Sequence, residues 1–177
     1  MGGKPQISIP CAPDFDFEVW GPPYSSDPED AMRILLGVDA EYNGPMNDLA
    51  ESVAHGFVRA INRQDVEALA ESMAAEHRFI DSLGAVSEGR EKVLAGWAAY
   101  FRMVPDYAIV VDETLCDGPV VVMLGAARGT YAPDGQLRKE NRWETPAAFR
   151  AFIEDGKVAE WRVYADNERI RQKMKTL

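Results

Sequence analysis

FVRAINRQDVEALAESMAAEHRFIDSLG, residues 57–84, changes its apolar period partway along, and that change sets the fold. Leading into it, Leu49, Val53, Phe57, Ala60 and Ile61 recur at three- and four-residue steps. That spacing lays one apolar stripe along a helix, which Asn47 can cap. Asn62-Arg63-Gln64 ends the helix, and Asp65 caps a second one that turns Val66, Leu69, Ala70 and Met73 inward. HRFIDS then alternates with period two and predicts a short strand.

Downstream, AVSEGRE leads into a third helix whose Val93, Trp97, Tyr100, Phe101 and Val104 make a broad apolar face. After Pro105 the pattern is all β. YAIVVDETL, VVVMLGAARGTY, LRKENRWET with its continuation AFRAFIE, and KVAEWRVYA are separated by CDGP, APDGQ and EDGK, whose Asp-Gly chemistry suits hairpin turns. These strands predict an antiparallel meander. Pro146 removes a ladder donor from the long third strand, so a bulge or kink is expected there. The glycines of GAARGTY point to curvature or close packing. DNERIRQKMKTL predicts a short C-terminal helix with basic residues in its last turn. Upstream, residues 1–46 read as an extension. Its proline-rich start carries Phe15, Phe17 and Trp20, and one short helix opens at Ser26 or Asp27 and stops near Gly37. The resulting class is α+β: helices packed on the concave side of a curved antiparallel sheet, over residues 47–177, enclosing a cone that side chains do not fill.

The chain has 177 residues, with 19 basic and 29 acidic side chains and a formal charge of -10. That balance repels phosphate backbones and anionic membranes, so nucleic acid and membrane are not expected partners. No apolar run approaches the length of about 18 residues needed to cross a bilayer. Residues 1–13 have no apolar core of signal-peptide length, which makes a cytoplasmic location the expectation. Cys11 and Cys116, with His55 and His77, form no zinc spacing. No phosphate-binding glycine loop or nucleophile elbow is present either. The chemistry expected is acid–base work without cofactor or metal.

FVRAINRQDVEALAESMAAEHRFIDSLG with EGREKVLAGWAAYF (88–101) resembles the ketosteroid isomerase and SnoaL-like polyketide cyclase group of the nuclear transport factor 2-like superfamily. The ending FIEDGKVAEWRVYADNERI (152–170) is similar to the last two strands of that group and of the limonene epoxide hydrolases within it. The resemblance covers about residues 47–175. It implies a cone-shaped α+β fold, a pocket for a small apolar ligand or substrate, and a homodimer formed through the sheet.

Asp81 stands where the isomerases of the group carry their general base, and a carboxylate held against Phe79 and Trp97 would lose hydration, raising its pKa toward a range useful for proton transfer. The same aspartate can instead cap the SLG turn. The isomerase oxyanion donors are missing: their tyrosine position is Phe57 and their protonated aspartate falls near Ala148. Of the epoxide hydrolase set, Arg128 matches the arginine and Asp166 one aspartate, while the other aspartate falls on Thr130. The water-positioning tyrosine and asparagine of those enzymes fall on Phe79 and Asp81. Asp81, Arg128 and Asp166 are therefore the catalytic candidates, with a structural ion pair as the other reading of the last two. Strict alternation puts Asp166 on the face opposite Trp161 and Val163, away from an apolar pocket. Phe57, Phe79, Trp97, Tyr100, Trp143 and Tyr164 are candidates for ligand contact. His55 should face outward from its helix, and His77 should serve a turn or strand edge. Two functions fit: an isomerase, cyclase, dehydratase or hydratase, and a non-catalytic ligand-binding or dimerisation domain.

Overall fold

A computed structural model describes residues 44–175. In chain order these form α1 (Gly44–Arg63), α2 (Val66–Ser72), β1 (Met73–Ile80), β2 (Val86–Glu88), α3 (Arg90–Met103), β3 (Ala108–Asp117), β4 (Val120–Thr130), β5 (Arg142–Glu154), β6 (Lys157–Ala165) and α4 (Glu168–Lys175). One six-stranded sheet has the order β2-β1-β6-β5-β4-β3. Its last four strands are the expected antiparallel meander, and β1 joins it parallel to β6. The architecture is the α+β class anticipated from the pattern. The helix expected at residues 26–37 and the anchors Phe15, Phe17 and Trp20 lie outside the described residues.

α1 buries Phe57, Ala60 and Ile61 of the expected stripe together with Ala50, Ala54 and Val58, while Val53 is half-buried and Leu49 exposed, so the buried face is centred about one residue away from the expected one at the start of the helix. The helix begins at Gly44, so Asn47 is not its cap; the Asn47 Oδ1 accepts instead from the backbone N–H of Gly118 in the β3–β4 turn. Asp65 caps α2 as expected, accepting from the N–H of Ala68 at 3.0 Å. Met73 is the first residue of β1 rather than the last of a helix, and it is fully buried there. Asn62 does more than end α1. Its side-chain amide donates to the Ile109 carbonyl and accepts from the Ile109 N–H, both at 2.8 Å, so it pairs with β3 as a strand residue would.

LRKEN is not strand: Lys139–Asn141 form a 3-10 turn and β5 starts at Arg142. Pro146 causes no bulge. The β4–β5 register runs unbroken through the pair Ala126–Pro146, and β6 pairs with β5 only from Ala147 onward, beyond the proline. The irregularities fall between Val111 and Glu113 on β3 and between Phe152 and Ile153 on the β5–β6 ladder. The first of these lies against Gly125, where a β-carbon would land on the Val110 carbonyl oxygen. A β-carbon at Gly129 would meet Val104. Close packing is what the mid-strand glycines provide.

The interior divides along the strands. At one end Phe57 packs on Trp161 at 4.9 Å, Phe149 stacks on Trp161 at 5.6 Å, and Ile61, Leu69, Met73, Val121, Met123 and Val158 complete a filled core. His77 belongs to this core rather than to an edge: it is wholly buried, and its Nδ1 donates to the Val158 carbonyl at 2.7 Å. Among the described residues its Nε2 has no hydrogen-bond partner. Burial lowers the His77 pKa below the ordinary 6.5, opposed by its bond to Val158 and by the charge of Glu160. Because the folded state favours the neutral ring, its contribution is fully present above pH 6.5 and is lost as the pH falls through the folded-state value. Melting curves recorded in descending steps below pH 6.5 are expected to fall more steeply for the wild type than for His77→Phe; parallel curves would rule out His77 as the acid-sensitive group.

Candidate functional site

At the other end of the sheet the interior is left open as a cavity of about 370 Å³. Strand alternation supplies its sheet side: Phe79 from β1, Ala127 from β4, Trp143 from β5, and Val163 and Ala165 from β6. Helical spacing supplies the opposite side, where Val93, Gly96, Trp97 and Tyr100 of α3 share one face. Tyr107, just before β3, closes the wall between the two tryptophans, with ring centroids 6.2 Å from Trp97 and 6.1 Å from Trp143. Phe79 meets the edge of Trp97 at 5.8 Å, and Tyr100 meets that of Tyr107 at 5.1 Å. Burial pushes both tyrosine hydroxyls far above their usual range, so both stay neutral, protonated donors.

Polar side chains also line the cavity: Lys92 is exposed, and Asp81, Ser82, Ser87 and Asn167 are half-buried. Asp81 follows the last residue of β1. Its Oδ1 accepts from the N–H of Leu83 at 2.8 Å and of Ala85 at 2.9 Å, while its backbone carbonyl accepts from Gly84. The turn-capping role is therefore real. It engages one carboxylate oxygen; the other has no hydrogen bond among the described residues. The desolvation foreseen for Asp81 is partial, since the residue is only half-buried. Asn167 donates to the Ser82 hydroxyl at 2.8 Å and ties the start of α4 to the β1–β2 turn.

Of the residues singled out from sequence, Asp81, Phe79, Trp97, Tyr100 and Trp143 come together around the cavity. Four do not. Phe57 is wholly buried in the filled core. Tyr164 is 46% exposed on the outer face, with the Arg162 guanidinium 4.8 Å from its ring centre. Arg128 is exposed on the face of β4 opposite Ala127, and no ion pair joins it to Asp166 among the described residues. Asp166 faces outward, as alternation required, and its Oδ1 accepts from the Glu168 N–H at the start of α4. Thr130 is buried, and its hydroxyl and N–H both donate to Asp106, which occupies it structurally. His55 is half-buried and reaches the Thr114 hydroxyl at 3.0 Å. Tyr107, Ser82, Ser87, Lys92 and Asn167 went unnoticed in the sequence. Tyr107 shares the parity of buried Ile109, which was the available signal. Among the described residues no cluster of three or more metal-ligating side chains occurs, and no helix is long and apolar enough to cross a membrane.

Residues 54–161 match the model of the SnoaL-like domain family. No curated protein matches the sequence. Among solved structures, a candidate SnoaL-like polyketide cyclase from Jannaschia sp. CCS1 is similar at 22% identity and a TM-score of 0.64, over 75% of this chain and 96% of that one. A hypothetical protein with a ketosteroid isomerase-like fold from Catenulispora acidiphila, in complex with trimethylamine, matches at 16% and 0.59, over 68% and 90%. An LEH-like epoxide hydrolase from M. tuberculosis matches at 13% and 0.61, over 73% and 92%. Likeness at these identities is a likeness of fold.

The two amide bonds to Asp81 set a stability test. Asp81→Ala leaves both turn N–H groups without their acceptor and is expected to destabilise the domain by about 1–2 kcal/mol. Asp81→Asn keeps an oxygen in the same place and should cost less than about 0.5 kcal/mol in the same denaturant titration. Equal losses for the two variants would mean that the charge, not the turn bonds, is what stabilises.

Proposed function

The chain belongs to the SnoaL-like domain family, and from that premise we propose that it binds a small, largely apolar molecule in the cavity and moves a proton on it with Asp81. The observation that carries this reading is the state of the Asp81 carboxylate. One oxygen is fixed by two amides, the other is unengaged, and the group lines an otherwise aromatic chamber. A positioned base with a free lone pair, next to a water-poor apolar volume, suits abstraction of a proton beside a carbonyl. Isomerisation, cyclisation, dehydration and hydration all begin or end with such a transfer. Neutral Tyr100 and Tyr107 can donate to an oxygen that gains negative charge. Exposed Lys92 adds a cation to the lining of the same cavity.

A second reading is favoured by Arg128 and Asp166, which stay outside the cavity. Without them the arginine-assisted hydrolase set is not assembled, and a binding protein that holds its ligand without turnover remains consistent with the site.

Exchange of α-protons is the readout that needs no knowledge of the product. Cyclic ketones and 1,3-dicarbonyl compounds incubated in D2O are expected to exchange faster with the protein, and Asp81→Asn should slow this about a hundredfold or more. Ligand affinity should change little, since the turn and the aromatic walls persist. Binding without any exchange in the wild type would decide for the non-catalytic reading.

We also propose that the outer face of the sheet pairs with a second copy of the chain. Leu124, Ala148 and Tyr164 are register partners across β4, β5 and β6, and Leu124 and Tyr164 are 37% and 46% exposed. Beside that row on β6 the Arg162 guanidinium lies over the Tyr164 ring, while Glu160 is already paired with Arg78 and Arg150, so the apolar row carries the twofold contact. Sedimentation at micromolar concentration is expected to give about twice 19.6 kDa, and Tyr164→Glu to return the particle to 19.6 kDa. A wild-type particle of 19.6 kDa would refute the pairing.

A further inference from the structure

We infer that Gly96 is the doorway of the cavity: ligands enter and leave beside α3 across this one residue, and its missing side chain sets how fast they do so. The inference rests on the small-molecule reading above and adds the route by which the molecule reaches the site.

A glycine inside a helix asks for a cause, because it loses more backbone freedom on folding than any other residue and alanine is the better helix former. Gly96 lies well inside α3, and the two usual causes do not apply to it. Its φ is negative, so no left-handed backbone demands glycine there. A β-carbon at Gly96 would meet no atom within 4 Å, whereas one at Gly125 would strike the Val110 carbonyl and one at Gly129 the Val104 side chain. The open space beside Gly96 adjoins the cavity, since the residue belongs to its lining.

Exposure locates the opening. Among the described residues that line the cavity, Lys92 and Gly96 are exposed and the others are buried or half-buried. The two stand about one helical turn apart on α3, and Tyr100 continues the same row four residues further on. From Lys92 to Tyr100 the helix rises about 12 Å, and over that length Gly96 sets no side chain across the gap. Lys92 carries its amine in water on a flexible stem and can swing aside. A side chain larger than a methyl at position 96 would stand in the opening itself.

The probe is N-phenyl-1-naphthylamine, an uncharged aromatic molecule whose emission rises in apolar surroundings. Stopped-flow mixing reads its association rate, and displacement reads its dissociation rate. Gly96→Leu is expected to slow both by at least about tenfold and to leave the dissociation constant within about threefold, because an obstruction on the path raises the barrier in both directions alike. Gly96→Ala is expected to melt above the wild type and to slow both rates by a smaller factor, which keeps the test decisive if the leucine variant does not fold. Gly56→Ala changes a helical glycine of α1 outside the cavity lining, and its rates should match those of the wild type. Wild-type rates in the Gly96 variants would overturn the doorway and leave the small-molecule reading standing. A weaker affinity with an unchanged association rate would overturn it too, since residue 96 would then be wall and not entrance. Failure of the probe to bind the wild type would overturn the doorway and the small-molecule reading together.

Discussion

Phe57, Trp161 and Phe149 form a three-ring cluster, 4.9 Å and 5.6 Å between neighbouring centroids, that joins α1 to the inner faces of β5 and β6. Each ring is wholly buried, and each removes a large apolar area from water. The cluster fixes how far α1 stands from the sheet. It also fixes where filling stops: beyond Trp161 the inward positions of β6 are Val163 and Ala165, both smaller, and both line the cavity. A sheet that is crowded at one end and lined by small residues at the other has to be covered by two different helices. α1 covers the crowded end, and α3 spans the open end with Trp97 and Tyr100. The cavity is thus a consequence of side-chain volume along β6 rather than of a loop or a missing element.

Legibility in the sequence followed periodicity closely. The α1 stripe, the Asp65 cap and the four-strand meander were readable because each rests on local chemistry: spacing, one capping carboxylate, and Asp-Gly turns. The parallel pairing of β1 with β6 was not readable, since it links residues about eighty positions apart and no local signal encodes it. The two errors at β5 have physical causes as well. Lys139–Asn141 carry strand-compatible residues but turn, with Asn141 buried and its amide donating to the Tyr131 carbonyl. Pro146 was expected to break a ladder, yet it stands where β6 has not begun to pair, so no donor is missed.

The site was half legible for a related reason. Phe79, Asp81, Trp97, Tyr100 and Trp143 could be placed on inward faces by parity or helix spacing. The same parity argues against Tyr164 and Asp166, both retained above as candidates, and the structure keeps both outside. Phe57 differs: helix spacing puts it on the inner face, but spacing does not say whether the space there is filled or open. Only the volume of the neighbours decides that, and Trp161 and Phe149 are far from Phe57 in sequence.

Asp81 brings the two halves of this reasoning together. A turn that needs its carboxylate holds that group at the mouth of the cavity in one orientation, because two N–H donors from Leu83 and Ala85 converge on a single oxygen. In the role proposed for Asp81, capping and chemistry are then not rivals. The bonds that stabilise the turn are the ones that leave the second oxygen fixed and unengaged, which is the preorganisation a proton-transfer group requires. A carboxylate free to rotate would have to lose that freedom on each encounter with a ligand. The turn has removed it already, at the moment of folding, and the aromatic walls behind it limit which ligands can reach the oxygen that remains.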